Sequence, residues 1–284
     1  MGFLLGILNG LATSFQNSQI KSLPKLDSNV INGIRFLSCV PVLGILVTIF
    51  DGWHTLPLPF ILIVLAQMPT ELLVAYFYVR AFQYSPQSLV GPLFSLSVIF
   101  LVPVSFFAFD IIPSPLGWAG IITGLLGTFF LGWDLDRKEF RSSLSVIFSE
   151  RGTYYMLAAA ACSVVAVTLI KFSYAYVSPL TDGFYAMSGV AICYLPFVLK
   201  SNLQNLKGHL KHLILMGASA SAGQTFTYLG LFYLAPAYFI SLKRSAILFD
   251  VLFGKFVHGE THFKGRLIGA LFMISGIILI AFAK

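Results

Sequence analysis

Long apolar runs separated by short polar connections dominate the pattern of this chain. Ten runs are long enough, at about 20 mostly apolar residues, to cross a bilayer as helices. Numbered spans 1 to 10, they cover roughly 2–20, 29–50, 58–82, 86–108, 113–133, 152–174, 181–200, 210–232, 235–257 and 265–283. A membrane barrel would instead show alternating strands of about 10 residues. The pattern therefore predicts an all-α membrane protein with ten transmembrane helices.

Composition agrees with a bilayer as the solvent. Of the 284 residues, 57% are hydrophobic and 10% are charged, whereas soluble domains carry about 25% charged residues. Helices pair every backbone polar group within the segment, as the bilayer core requires. The basic residues behind the net charge of +7 lie between the apolar runs rather than along one amphipathic face, so we predict no nucleic-acid partner.

The two halves of the chain look related. A shift of 150 residues superposes Lys21 on Lys171, Gly33 on Gly183, Tyr78 on Tyr228, Phe82 on Phe232, Pro86 on Pro236, Ser95 on Ser245 and Asp110 on Glu260. We predict a first repeat over 1–133, a linker over 134–151 and a second repeat over 152–284. Because each repeat has five helices, the second enters the membrane inverted, which places a solute site between the halves.

The basic residues predict the orientation of the spans. Fourteen of the 18 lie in the loops after odd-numbered spans or at the adjoining helix ends: Lys21, Lys25, Arg35, Arg80, Arg137, Lys138, Arg141, Arg151, Lys200, Lys207, Lys211, Lys255, Lys264 and Arg266. Basic loops stay in the cytoplasm. We therefore expect a multi-pass protein of a bacterial inner membrane with both termini on the non-cytoplasmic side.

Two adjacent cations fall inside span 9. Lys243 and Arg244 would each cost roughly 2.5–3.5 kcal/mol at the centre of a bilayer if they faced lipid. The planar guanidinium of Arg244 suits a carboxylate or phosphate, and Lys243 adds a point charge. The pair predicts an anion site. The alternative is a structural ion pair of Lys243 with Asp250 or Glu71.

Glu71 lies in the middle of span 3, just after Pro69. A carboxylate in a bilayer can act as a proton carrier. The alternative is that Glu71 is a counter-charge for Lys243 or Arg244. Both roles are compatible if the acid pairs with the cations in the empty site and yields to a solute.

Polar residues recur at helical spacing in two further spans. They are Asn9, Thr13 and Gln16 in span 1 and Gln224 and Tyr228 in span 8, with Tyr78 in span 3 as the repeat counterpart of Tyr228. Residues at this spacing share a helix face. Such a face lines a solute site or forms hydrogen bonds between helices.

The positions of the cysteines and histidines give little support for an enzyme active site or a metal site. Cys39, Cys162 and Cys193 lie in apolar segments without CxxC spacing, which favours packing over metal binding. The histidines lie in loops or at helix ends, so no nucleophile and base are placed together within a span. We predict no enzyme activity, no cofactor and no metal, and an intramembrane enzyme is the alternative from another class.

The second half resembles a known family. The stretch from Ala235 through Pro236, Ala237 and Tyr238 to Phe249, then Gly259-Glu260 and the Gly-rich run 265–283, is similar to drug/metabolite transporters of the ten-helix EamA type. The first half resembles the family more weakly, with Phe109-Asp110 in place of Gly-Glu. Lys243-Arg244 also resembles the phosphate-binding Lys-Arg pair of plastid triose-phosphate translocators. The resemblance implies two inverted five-helix bundles and alternating access.

Together these patterns predict a secondary transporter for a small organic anion or zwitterion, such as an amino acid, a carboxylate or a phosphorylated metabolite. Protons or a counter-substrate are the expected coupling partners. The alternative is a proton-coupled exporter of neutral or cationic metabolites that uses Glu71. Glycines in spans 5 and 10 indicate close helix packing, either inside the bundle or between two copies, so a monomer and a homodimer both remain open.

Overall fold

The computed structural model describes residues 1–97, 100, 114–131, 147–201, 203–233, 242–261 and 263–282. Within these ranges the regular structure is entirely helical. The main helices are α1 (Gly2–Lys21), α2 (Ser28–Phe50), α3 (Leu58–Tyr84), α4 (Gln87–Leu93), α5 (Pro115–Leu131), α6 (Arg151–Ser173), α7 (Pro179–Leu199), α8 (Leu210–Tyr233), α9 (Ala246–Phe256) and α10 (Phe263–Phe282). A 3-10 turn, Phe94–Leu96, follows α4, and a short helix, Leu203–Gly208, precedes α8.

The helical architecture predicted from the apolar runs is confirmed. Spans 4 and 9 are described only in part, because residues 98–99, 101–113 and 234–241 lie outside the described ranges. Asp110 and Pro236 fall in those omitted segments, and most of the predicted linker falls in residues 132–146, which also lie outside the described ranges. The number of spans and the repeat boundaries therefore stay predictions.

Four described helices are long and apolar enough to cross a membrane: α2, α3, α7 and the Arg151–Ile170 part of α6. Two of these helices begin at side-chain caps. Asp27 accepts a hydrogen bond from the backbone N–H of Asn29 at 3.0 Å, and Ser178 accepts one from Thr181 at 3.2 Å. Each cap satisfies a backbone donor that the first helical turn leaves unpaired.

Helix packing repeats with a shift of five helices. Helix α1 packs against α8, and its counterpart α6 packs against α3. Helix α1 also contacts α9, and α6 contacts α4. The pairs α2 with α7, α4 with α9, and α5 with α10 each join a helix to its own counterpart. This pattern is the one that a duplicated bundle produces.

Counterpart helices run in opposite directions. The end of α2 meets the start of α7, where Thr181 donates a hydrogen bond to the carboxylate of Asp51 at 3.0 Å. In α5 and α10, a Cβ added at Gly276 would lie 2.5 Å from the carbonyl oxygen of Gly120. A Cβ at Gly127, later in α5, would instead overlap the earlier residue Met273. The glycines therefore pack α5 against α10 inside the bundle.

Candidate solute-binding site

Arg244 lies in a short turn between a helical stretch that ends at Lys243 and the start of α9, rather than in the middle of a regular helix. Ser245 N–H donates to the carbonyl of Leu242, and Ile247 N–H donates to that of Arg244, both at 3.0 Å. These are i to i+3 bonds of the 3-10 type, which often mark functional breaks in helices. Gly10 of α1 packs on the turn, because an added Cβ would lie 2.8 Å from the backbone nitrogen of Ala246.

Six half-buried side chains lie in or near this turn, and we call them the central site. They are Arg35 from α2, Glu71 and Tyr78 from α3, Phe94 after α4, and Lys243 and Arg244. Three of them are cations and one is an acid, so the site is net positive. Partial exposure inside a helical bundle is what a wet cavity requires of charged residues.

The two adjacent cations are not held by acids. Among the described residues, neither Lys243 nor Arg244 forms an ion pair with Glu71 or Asp250. Lys243 makes one long contact of 3.5 Å to the hydroxyl of Thr227. The guanidinium of Arg244 lies 6.0 Å from the centre of the Phe94 ring. Within the described part of the chain, most of their hydrogen-bond donors are therefore available for an anion, and the structural ion pair is not formed.

Arg35 is a member of this site that the sequence did not identify as a candidate. It was counted among the cations of the loops and adjoining helix ends, and it lies on the second turn of α2. Its guanidinium carbon lies 5.1 Å from the centre of the Phe36 ring and 5.7 Å from that of Tyr78, and it donates to Asn32 at 3.1 Å. Stacking on aromatic faces holds the guanidinium in place while leaving donors free.

Glu71 is the acid of the central site. It interacts electrostatically with Arg35 and Lys243, yet no described group forms a hydrogen bond or ion pair with its carboxylate. Pro69 lies inside the same helix and removes one backbone hydrogen bond near this point. The acid is therefore close enough to offset a cation without being locked to one.

Asp250 belongs to a separate network in which its partners are uncharged side chains. Its Oδ1 accepts hydrogen bonds from the Ser14 hydroxyl at 2.8 Å, the Asn17 amide at 3.1 Å and the Gln87 amide at 2.8 Å. The Tyr78 hydroxyl donates to Asn17 Oδ1 at 2.8 Å. Asp250 is 3% exposed. The network joins α1, α3, α4 and α9 directly behind the central site, and it gives Tyr78 a positioning role.

Glu260 closes one end of the bundle. Its carboxylate accepts hydrogen bonds from the backbone N–H groups of Gln87 at 2.6 Å and Ser88 at 3.0 Å, and from the Ser88 hydroxyl. Arg266 forms an ion pair with it at 3.1 Å. An acid at a helix N-terminus satisfies unpaired donors and complements the helix dipole. Gly259 allows this turn, because its φ of 63° favours glycine.

Further contacts at the same end join α1, the α3–α4 turn and α6. Lys21 donates to the carbonyl of Ser85 at 2.6 Å. The Ser85 hydroxyl donates to Glu150 at 2.6 Å and accepts from the backbone N–H of Gly152 at 3.0 Å. The largest apolar core cluster, which includes Phe82, lies against these elements. This end of the bundle is therefore closed by both charge and packing.

The remaining predicted site residues differ in their surroundings. Asn9 donates to the carbonyl of Gly223 at 2.5 Å and to Thr227 at 2.7 Å, so it bonds α1 to α8. Gln16 is buried and Gln224 is half-buried, and neither forms a side-chain hydrogen bond with another described residue. The side chain of Tyr228 lies outside the described part of the chain.

The histidine nearest this end has a structural contact. His258 Nε2 lies 2.9 Å from the Ser18 hydroxyl. Burial lowers the pKa of His258 from its ordinary value of 6.5, and nearby Glu260 partly offsets that shift. Among the described side chains, no three His, Cys, Asp or Glu residues converge on a point where a metal could bind.

A bundle of apolar helices whose described interior cations have no acidic partner is typical of membrane transport proteins. The sequence profile of the EamA-like transporter family matches residues 1–133 and again residues 150–282. The chain belongs to this family of membrane transporters for small solutes. The predicted family resemblance is thereby confirmed.

Comparison with solved structures supports the fold independently. One crystal structure superposes with a TM-score of 0.65 at 15% sequence identity, covering 98% of this chain and 96% of the other. At that identity, the likeness shows the fold alone. The chain matches none of the curated proteins with which it was compared.

Proposed function

We propose that this protein is a secondary transporter for a small organic anion or zwitterion, such as an amino acid, a carboxylate or a phosphorylated metabolite. The observation that supports the proposal is the pair Lys243 and Arg244, two half-buried cations without an acidic partner among the described residues. Charges at such a position are tolerated when they face water or bind an anion. Arg35 adds a third positive group to the same site.

Alternating access follows from the arrangement of the helices. In this proposal, residues 1–133 and 152–284 form two inverted halves that rock about the central site. In the present conformation, the Glu260 contacts keep one end of the bundle closed. They break when that end opens. The Lys and Arg distribution assigns this closed end to the cytoplasm of a bacterial cell, with both termini outside.

A second candidate function rests on Glu71. Its carboxylate has no described hydrogen-bond partner and lies near Arg35 and Lys243. An acid in this position can exchange a proton for the solute, as in proton-coupled export of neutral or cationic metabolites. The two candidates differ in which residue touches the solute, because the first relies on the cations and the second on the acid.

A ligand screen tests the proposal. The purified protein in detergent is heated with glucose 6-phosphate, succinate, glutamate or glucose, and the melting temperature is recorded. We expect at least one anionic probe to stabilise the protein through binding to the folded state. Lys243→Gln and Arg244→Gln should each remove that stabilisation, whereas Lys255→Gln, an exposed change on α9, should preserve it. Equal responses of all three variants would refute the site.

A further inference from the structure

A second polar centre lies beside the central site, where α3, α6 and α7 meet. Asp182 is in the first turn of α7 and is 2% exposed, and Gln67 of α3 is 1% exposed. The two side chains are neighbours, and Ser173 at the end of α6 lies next to Asp182. Nothing in the transport site described above makes use of these residues.

Gln67 and Ser173 are hydrogen-bonding neighbours of the Asp182 carboxylate, but several polar atoms of this centre have no well-formed hydrogen bond with a described group. These atoms are Asp182 Oδ1 and both amide atoms of Gln67. The Ser173 hydroxyl donates to the carbonyl of Ile170 at 2.7 Å, which leaves its oxygen lone pairs free. Buried polar groups in proteins are normally hydrogen-bonded, so such a concentration indicates a ligand.

Helix capping does not account for Asp182. Ser178 already accepts the hydrogen bond from the backbone N–H of Thr181 and is the N-cap of α7. A structural role would also require a donor, and the described chain supplies none to Oδ1.

Among the described side chains, no cation compensates the charge of Asp182. The titratable groups that interact with it are Tyr174 and Glu71. Asp51 and His54 lie near the end of α2, where His54 contacts the backbone carbonyl of Asp51 at 2.9 Å. Within the described ranges, Asp182 forms no ion pair. A buried carboxylate without a partner is unstable unless a proton or a cation neutralises it.

The centre leads directly to the acid of the central site. Gln67 and Glu71 are four residues apart on α3 and therefore share one face of the helix. Asp182 interacts electrostatically with Glu71. Asp182 at the start of α7 therefore lies near both Gln67 and Glu71 of α3, at the end opposite the Glu260 contacts.

We propose that Asp182 and Gln67 bind the coupling ion of this transporter, a monovalent cation that is either a proton or Na⁺, and pass it to Glu71. Carboxylate, amide and hydroxyl oxygens are the ligands that hard cations prefer, and the same groups conduct a proton through an intervening water. The inference rests on the proposed transport function and adds the ion that drives it.

Trp53 provides a local reporter for this site. Its ring centre lies 5.1 Å from that of Phe184, two residues beyond Asp182. In a Trp118→Phe, Trp133→Phe background, Trp53 is the remaining tryptophan, and its emission can be followed in detergent without any solute. NaCl is titrated against choline chloride at constant ionic strength, and pH is titrated separately. We expect a saturable change in one or both titrations.

Variants of Asp182 and Gln67 test whether these side chains bind the ion. Asp182→Asn keeps the shape of the side chain but should abolish the saturable change, and Gln67→Leu should weaken the apparent affinity by about tenfold. Asp27→Asn, an exposed cap that retains its function as asparagine, should respond as the parent does. If Asp182→Asn does not fold, Gln67→Leu decides alone.

A response to Na⁺ identifies sodium as the ion, and a response to pH alone identifies the proton. No response to either, or a full response in Asp182→Asn and Gln67→Leu, overturns the inference. Because chloride is held constant and no organic anion is added, such a failure leaves the Lys243 and Arg244 site untouched, and a failure of the ligand screen would not alter this result.

Discussion

The guanidinium carbon of Arg35 lies 5.7 Å from the centre of the Tyr78 ring, although the two residues belong to different helices. Tyr78 is itself fixed by its hydrogen bond to Asn17. The aromatic ring therefore holds a third positive charge beside Lys243 and Arg244. This arrangement gives an anion more than one cationic group to bind.

Replacing Arg35 should weaken anion binding without unfolding the protein. Arg35→Gln loses a charge-assisted hydrogen bond to the anion, worth about 1.5–3 kcal/mol, so the dissociation constant for an anionic probe should rise at least about tenfold. Arg35→Lys should lose less anion affinity, because lysine keeps the positive charge but lacks the planar guanidinium group. Calorimetric titration measures both, with the exposed change Lys25→Gln as control. Unchanged binding in Arg35→Gln would remove Arg35 from the site.

Asp250 should stabilise the fold rather than bind the solute. Asp250→Asn removes the charge from three hydrogen bonds and places an amide donor against other donors, at a cost of about 1–3 kcal/mol. We expect a lower melting temperature, with anion affinity changed much less than in Arg244→Gln. A variant that melts normally but fails to bind the anion would show that Asp250 acts on the solute instead.

Glu260 should control access at the closed end. Glu260→Gln weakens the cap on α4 by about 1 kcal/mol or more, which raises the population of the open form by up to about tenfold. Leu89, which is buried in α4, can be replaced by cysteine after the three native cysteines are removed. Maleimide labelling of that cysteine should then be faster in Glu260→Gln. Equal labelling rates in both proteins would show that the contact is no gate.

The stability of the protein should depend on pH through His258. Burial lowers the pKa of this group below 6.5 in the folded protein, whereas the unfolded chain takes up a proton near about 6.5. The unfolded state then binds more protons, so the contribution is complete above about pH 6.5 and is lost as the pH falls. Melting curves between about pH 5 and pH 8 should have a shallower slope in His258→Asn. The same slope in both proteins would contradict this assignment.

Much of the fold could be predicted because a helix that crosses a membrane requires a long run of apolar residues, which is visible in the sequence. The described helices coincide with the predicted spans, and the cation pair in span 9 was identifiable because charge inside an apolar run is costly. The sequence nevertheless predicted one regular helix through this pair, whereas the structure has a short turn at Arg244 and Ser245. Periodicity cannot reveal a local change from α to 3-10 hydrogen bonding.

The rest of the site depends on contacts between distant segments. Arg35 was grouped with the cations of the loops and adjoining helix ends because it lies near the start of span 2, and only the packing of α2 on α3 places it over Tyr78. Asp250 was considered as a partner for Lys243, since the sequence does not show that Ser14, Asn17 and Gln87 reach it first. The partnerless pair Asp182 and Gln67 becomes visible only when three helices are brought together.

The charge on the bound solute is the central claim, and matched pairs of probes test it most directly. Thermal-shift titrations compare succinate with succinamide and glucose 6-phosphate with glucose, in the parent protein and in Lys243→Gln/Arg244→Gln. We predict that the parent prefers one anion over its neutral analogue by at least about tenfold, and that the double variant loses this preference. A parent that binds the neutral analogue equally well, or a double variant that still prefers the anion, would contradict the account.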